Sequence, residues 1–333
     1  MPDMDLMPVA ERLELGPLLG QPLLIKDDER YPVWKAETDS GIWAVKTERP
    51  WGDFWLGMVA QSGALEAAAW EAGVAMPEPH AKDLGEAGLW RPVGDGLYAR
   101  AVRFVEGTHP ISPVDRPLAS WAGGVVAALG RLGIPADPDI DGDYRSHPQE
   151  DWDDWFAQAE GLGVLDAERI RVFRGAVART EEIIAFEQDL WRSKQVMHRD
   201  IGFHNILSTP GGNVLLDFDS AGAQVPWWEL VCTAFELAGP GHGVMRPERG
   251  VVEACLAGYV DAGGRLGRTD ESAFTGMLAG RVGVAAWQLW MACGHRGGSA
   301  QLQAEFGRTV RDSVDAMAIM LDEFPTWAAW LRA

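Results

Sequence analysis

One short polar stretch constrains this chain more than any other part of it. From Val196 to Asp219 it reads His198-Arg199-Asp200-Ile201-Gly202-Phe203-His204-Asn205. Two apolar runs follow, Asn205-Ile206-Leu207 and Asn213-Val214-Leu215-Leu216-Asp217, around a Thr209-Pro210-Gly211-Gly212 turn, and the stretch closes on Asp217-Phe218-Asp219. Apolar runs flanking a Pro-Gly turn predict a small hairpin. Its surroundings have another period: Leu118 to Leu132, Ile170 to Trp191, and the segments 227–238, 248–262, 271–293 and 300–322 space their apolar residues as helices do.

The N-terminal third reads as strands. Leu23-Leu24-Ile25, Val33-Trp34-Lys35-Ala36-Glu37 and Ile42-Trp43-Ala44-Val45-Lys46 are short and rich in β-branched or aromatic residues. Polar segments separate them, and Thr38-Asp39-Ser40-Gly41 reads as a hairpin turn. Gln61 to Ala72 reads as a helix that Gly73 ends and that Pro77 and Pro79 prevent from continuing. Leu97 to Val105 is a further strand, broken at Gly107. The expected architecture is therefore α+β and bilobal. Residues 1–104 form a β-rich N-lobe, an antiparallel sheet plus one helix, and residues 105–333 form a mainly helical C-lobe.

The chemistry follows from residue types and spacing. Phosphoryl transfer asks a protein for an in-line hydroxyl, a group that accepts or orients its proton, and metal ions that neutralise phosphate oxygens. An HxDxxxxN loop followed by a hairpin ending in Asp supplies those parts. Chance readily produces an HRD tripeptide, but seldom one with this Asn offset and this hairpin.

These residues resemble the aminoglycoside phosphotransferase and choline kinase family, which shares the protein-kinase-like fold. The resemblance implies an ATP-dependent phosphotransferase, with Mg²⁺ as metal and GTP as an alternative donor. It places Asp200 as catalytic base, Asn205 and Asp217 as magnesium ligands, and His198 as a structural loop histidine. Ala44-Val45-Lys46 is similar to the strand that carries the nucleotide-contacting lysine, so Lys46 is expected to contact phosphates and to pair with Glu66 of the helix. Arg103, Phe104 and Val105 stand where the family's lobe connection meets adenine, with Val102 and Phe104 as candidates to flank the ring. The segment Lys26 to Pro32 has no glycine, so a GxGxxG phosphate loop is absent; Arg30 is its one candidate phosphate contact. Gly239-Pro240-Gly241-His242-Gly243 follows a helical segment with no strand leading in, and reads as a plain loop.

A small acceptor is favoured over a polypeptide. Gly202 stands where protein kinases usually carry lysine, and Asp219 replaces the glycine of their DFG motif. Little room remains for an activation loop before Pro226-Trp227-Trp228-Glu229-Leu230. Arg199 is the one feature resembling a protein kinase, with Asp219 or Glu229 as its expected partner. The family's acceptor pocket suggests His204, Asp219, Glu229, Glu236, Trp287 and Trp290. Asp151-Trp152-Asp153-Asp154-Trp155 forms a second acidic and aromatic group, which also reads as a helix start. Carboxylates beside indoles suit a cationic acceptor such as an aminoglycoside or amino sugar. The competing reading is a nucleotide-binding pseudokinase acting as scaffold or sensor.

Composition sets the remaining bounds. A formal net charge of −20 disfavours nucleic-acid and anionic membrane partners. Three isolated cysteines argue against disulfides or a zinc site, and the many tryptophans are expected mainly in cores. No run is apolar enough to span a bilayer, and the first residues lack a secretory pattern, so a cytoplasmic location is expected. Oligomeric state is not legible.

Overall fold

The period-two alternation of the N-terminal strands decides which side chains reach the candidate site. The computed structural model of the chain describes residues 4–26, 32–50, 52, 54–137, 140, 149–187, 193–239, 246–295 and 299–332. Its first unit comprises Met1–Pro110, Ala128–Asp141 and Gln195–Ala223. Here a short helix, α1 (Met7–Arg12), precedes β1 (Leu23–Lys26), β2 (Val33–Thr38), β3 (Gly41–Glu48), helix α2 (Trp55–Glu71), β4 (Arg91–Gly94) and β5 (Leu97–Arg103). The strands form one antiparallel sheet in the order β1-β2-β3-β5-β4. The Thr38-Asp39-Ser40-Gly41 turn is where it was expected, with Thr38 paired to Gly41.

One face of this sheet is apolar. Trp34, Ala36, Trp43, Val45, Ala99 and Ala101 pack there with Leu6, Val9, Ala10, Leu13 and Leu15 from α1 and its flanks. Since neighbouring side chains alternate, the residues between them project to the other face. Lys46 pairs in register with Arg100, so the two cations stand side by side there.

Helix α2 begins at Trp55, six residues before the start read from the sequence. Its first turn, Trp55-Leu56-Gly57-Met58, includes Trp55 and Gly57, both weaker helix formers. Packing overrides that weakness: Trp55 lies against Trp90 and Tyr98, and its indole N–H donates to Glu48 at 2.9 Å. The helix stops as expected, with Gly73 at φ +77° just past Ala72.

The hairpin belongs to this first unit. Strand β6 (Gln195–Met197) pairs with β9 (Gly222–Gln224), and β7 (Ile206–Thr209) pairs with β8 (Gly212–Leu215). Backbone bonds fix it on two sides: Thr108 and Ser208 exchange N–H···O bonds of 3.1 and 2.9 Å, and Leu215 N–H donates to Ala75 O at 2.9 Å.

The second unit comprises Ile111–Ala127, Gly142–Lys194 and Gln224–Ala333. Helix α3 (Arg116–Leu132) begins in it. It also holds α4 (Gln149–Gly161), α5 (Ala167–Phe186), α6 (Pro226–Ala238), α7 (Arg249–Asp261), α8 (Thr275–Ala292) and α9 (Ala300–Trp330). The helical periods read from the sequence fall on these elements, and the acidic and aromatic run at 151–155, read either as a ligand group or as a helix start, lies in α4. In α4, Trp152 is buried and packs on Trp155, Phe156 and Phe173. Cys232, Cys255 and Cys293 are all free thiols; Cys255 is buried and the other two half-buried. No helix among the described residues is long and apolar enough to cross a membrane.

The seat of α2 depends on two glycines. Gly88 has φ +60°, and a Cβ there would lie 2.3 Å from the Val59 carbonyl oxygen; a Cβ on Gly63 would lie 2.9 Å from Gly88 Cα. Gly88→Ala is expected to lower stability by about 1–3 kcal/mol through overpacking. Urea unfolding should show a lower midpoint with an unchanged slope.

Candidate active site

The catalytic-loop candidate is held by a buried histidine in one tautomer. His198 is fully enclosed. Its Nε2 donates to Leu216 O at 3.0 Å, its Nδ1 accepts from the Asp200 amide at 3.3 Å, and its ring meets Phe218 edge-on at 4.7 Å. Burial holds its pKa below the ordinary 6.5, despite the nearby carboxylates. A neutral ring thus ties the loop to the strand leading into Asp217. Both ends of this tie adopt left-handed backbone, Arg199 at φ +67° and Asp217 at φ +59°. Non-glycine residues rarely adopt that conformation, which is retained where the surroundings enforce it.

Asp200 is fixed through both oxygens. Oδ2 accepts from Asn205 Nδ2 at 2.8 Å, and Oδ1 lies 3.2 Å from His204 Nε2. Asn205 Nδ2 also donates to Asp200 O at 2.9 Å, so the amide oxygen is left as the ligating end of that side chain. The Asp200 side chain remains 42% exposed. His204, expected at the acceptor, thus stands beside the candidate base. Arg199 lies over β9, its Nη1 2.6 Å from where a Cβ on Gly222 would be.

The second part of the site is a cluster of five charges. Lys46 Nζ donates to Asp217 Oδ1 at 2.6 Å and to Asp219 Oδ2 at 2.8 Å. Arg100 Nη1 donates to Asp219 Oδ1 at 2.7 Å, and Nη2 pairs with Glu66 Oε1. The expected Lys46–Glu66 pair is therefore corrected: Arg100 takes the helix glutamate, because the β3–β5 register sets it beside Lys46. Asp219, expected at the acceptor, has both oxygens committed to cations.

Burial and charge oppose each other throughout the cluster. Burial acts to lower the Lys46 pKa, but Asp219 and Asp217 outweigh it and hold the ammonium above its ordinary range. For Asp217 burial acts upward, yet Lys46 holds its carboxyl well below the usual range. Burial also opposes the charge of Arg100, but Glu66 and Asp219 push its pKa further up. At Glu66 burial wins and raises the pKa; its Oε2 is buried without a hydrogen-bond partner among the described residues. Arg100 was missed by sequence reasoning. The available signal was a charged residue in the middle of a strand that is otherwise largely apolar.

At the strand end, Arg103 Nη1 donates to Ser40 O at 2.8 Å and its guanidinium lies over Trp43 at 4.0 Å. The Arg103 and Phe104 amides donate to Glu78 O and Ile42 O at 2.8 and 2.9 Å. Lys35 Nζ sits 4.3 Å from the centre of the Phe104 ring and pairs with Glu106 at 3.2 Å.

The remaining candidates lie in the second unit. Glu229 and Glu236 flank Cys232 on one face of α6, and burial, then their charges, pushes that thiol's pKa above its ordinary range. Trp287 packs edge-on against Phe306 at 4.9 Å, and Trp290 against Trp155 at 5.0 Å. Asp153 is held by Arg174, so the acidic and aromatic run serves as a helix with a buried indole face. Arg30 and the loop at 240–243 lie outside the described residues.

The strand-rich and helical parts define a kinase-like fold, and solved structures share it. A spectinomycin phosphotransferase in complex with ADP and spectinomycin matches with TM-score 0.60 at 13% identity, covering 96% of this chain and 99% of that one. An amicoumacin kinase with AMP-PNP and Ca²⁺ matches at 0.63 and 12%, covering 94% of each chain. A microcompartment-associated aminopropanol kinase matches at 0.63 and 16%, covering 96% and 99%. No curated protein matches the chain. The sequence profile of the phosphotransferase enzyme family matches residues 33–271, and the chain belongs to that family. It is a phosphotransferase with an alcohol acceptor.

The neutral His198 gives a pH test. Well above pH 6.5 the ring is neutral in both folded and unfolded chains, so its proton binding does not differ. Below that value the unfolded histidine takes a proton that the buried ring resists, so stability is lost as the pH falls. His198→Gln lacks this component. The stability gap between wild type and variant is expected to be smaller at about pH 5.5 than at about pH 7.5, by urea unfolding at both.

Proposed function

We propose that this chain transfers the γ-phosphoryl group of ATP to a hydroxyl of a small cationic molecule, of the aminoglycoside or amino-sugar class. The carrying observation is the arrangement within the first unit: Asp200 fixed by Asn205 and His204, beside Lys46 gathered with Asp217 and Asp219.

In this reading Asp200 orients the acceptor hydroxyl and takes its proton. Its two held oxygens lower the reorganisation needed during transfer. Lys46 contacts the nucleotide phosphates. The Arg103 and Phe104 amides are already bonded to backbone, which leaves the Val105 amide as the candidate donor to adenine. Asp219, with both oxygens on cations, serves the phosphate side rather than the acceptor.

The donor set fits Mg²⁺. Among the described residues no three His, Cys, Asp or Glu side chains form a metal cage. A magnesium ion that shares phosphate oxygens and waters needs only one or two protein oxygens, and Asp217 with Asn205 Oδ1 supplies them. The ion would neutralise charge on the phosphate oxygens. Three carboxylates against two cations leave the cluster with one net negative charge, which also favours a cation.

Glu229 and Glu236 supply negative charge suited to a cationic acceptor, with Trp287 as a candidate aromatic contact. A nucleotide-dependent enzyme of this kind would work in the cytoplasm, in antibiotic resistance or in small-metabolite turnover.

A coupled ADP-release assay over a panel of aminoglycosides and amino sugars tests the proposal. Turnover is expected with at least one acceptor. Asp200→Ala is expected to lower kcat by about 10²–10⁴-fold with nucleotide affinity retained. Tight ATP binding with no transfer to any alcohol would favour a scaffold or sensor instead.

A further inference from the structure

The two cations on the site face of the sheet do different work. Lys46 and Arg100 are register partners across β3 and β5, yet they divide the carboxylates unequally. Arg100 bridges Glu66 of α2 and Asp219 beyond the hairpin, whereas Lys46 pairs with Asp217 and Asp219 at 2.6 and 2.8 Å.

We infer that Arg100 is the positioning residue of this site. It stands in for lysine as the partner of the helix glutamate, fixes Asp219 with its other nitrogen, and so leaves Lys46 to serve the nucleotide alone. The inference deepens the phosphotransfer reading and rests on it.

Side-chain chemistry supports this division. A guanidinium presents separate N–H groups in a rigid planar fork, so it can hold two carboxylates from different elements at fixed angles. An ammonium is a point charge on a flexible stem and sets no such angle. Exposure divides the cluster in the same way. The Arg100 and Glu66 side chains are 7% and 2% exposed, while Lys46 and Asp217 are 21% and 32% exposed. Removing one partner of a buried pair leaves an unpaired buried charge, so the inner pair is the permanent one. The Trp90 ring, 5.8 Å from the guanidinium carbon, adds a wall on the same side. The outer pair can exchange partners at lower cost, as a phosphate-binding cation must.

Lys46 Nζ donates to both Asp219 and Asp217, so the orientation given to Asp219 is shared with the candidate metal ligand. A change at Arg100 should therefore disturb transfer more than nucleotide capture.

The test uses full-length Arg100→Lys, Glu66→Gln and Lys46→Met. Three readouts are needed: the melting temperature without nucleotide, ADP affinity without Mg²⁺ by calorimetry, and kcat and KM for slow ATP hydrolysis with Mg²⁺. Arg100→Lys is expected to melt roughly 5 °C lower. Its kcat should fall about tenfold or more, with KM and ADP affinity within about threefold of wild type. Glu66→Gln should follow the same pattern and carries the test if Arg100→Lys does not fold. Lys46→Met should do the reverse, losing ADP affinity about tenfold or more with little change in melting.

The inference is overturned if Arg100→Lys loses ADP affinity as Lys46→Met does, because Arg100 would then be a phosphate ligand. It is also overturned if Arg100→Lys keeps kcat within about twofold. Melting and ADP binding need no acceptor, so failure here is separable from failure of the phosphotransfer reading, which the acceptor panel decides.

Discussion

The bridge from Arg100 to Glu66 and Asp219 is the interaction on which the rest of the site depends. It joins a sheet strand, the helix packed beside it and the segment after the hairpin. Three carboxylates this close would repel one another and resist ionisation without cations among them. With Arg100 and Lys46 in place, the Asp217 carboxyl is held well below its usual range, while burial pushes the pKa of Glu66 upward. Breaking such a buried pair by removing one member costs about 3–5 kcal/mol, because a bare charge is left behind. The cluster is therefore a structural joint and, on the proposed function, also the charge that meets the nucleotide phosphates.

Backbone constraints do the complementary work. Arg199 and Asp217 both take left-handed conformations, and His198 lies between the segments that contain them, accepting from one backbone and donating to the other. The hairpin is fixed by bonds to Thr108 and Ala75, so two neighbouring loops hold it from outside. The base candidate, the metal-ligand candidates and Lys46 thus all lie within the first unit, where these bonds fix the hairpin.

Much of this was legible in the sequence because its signals are local. The HRD-to-Asn spacing, the hairpin turn, Lys46 on its strand and the helical periods each lie within one segment. What was not legible depends on pairing between distant segments. That Glu66 takes Arg100 rather than Lys46 follows from β3–β5 register, which 53 residues of chain between the two cations conceal. The first turn of α2 was missed because Trp55 and Gly57 are poor helix residues, and only the Trp90 and Tyr98 contacts make them helical. The sequence of α4 leaves open whether Trp152 meets a ligand or the core, and Phe173 from α5 packed against it decides for the core. Asp219 was assigned to the acceptor by motif position, while its two oxygens are decided by side chains from β3 and β5.

On the proposed function, Asp217, held beside Lys46, receives a divalent cation that travels with the nucleotide. Calorimetric titration of ADP with and without Mg²⁺, in wild type and in Asp217→Asn, measures it most directly. Mg²⁺ should tighten ADP binding to the wild type by about tenfold, and the variant should lose that gain while still binding ADP. Equal wild-type affinity in the presence and absence of Mg²⁺ would contradict the account.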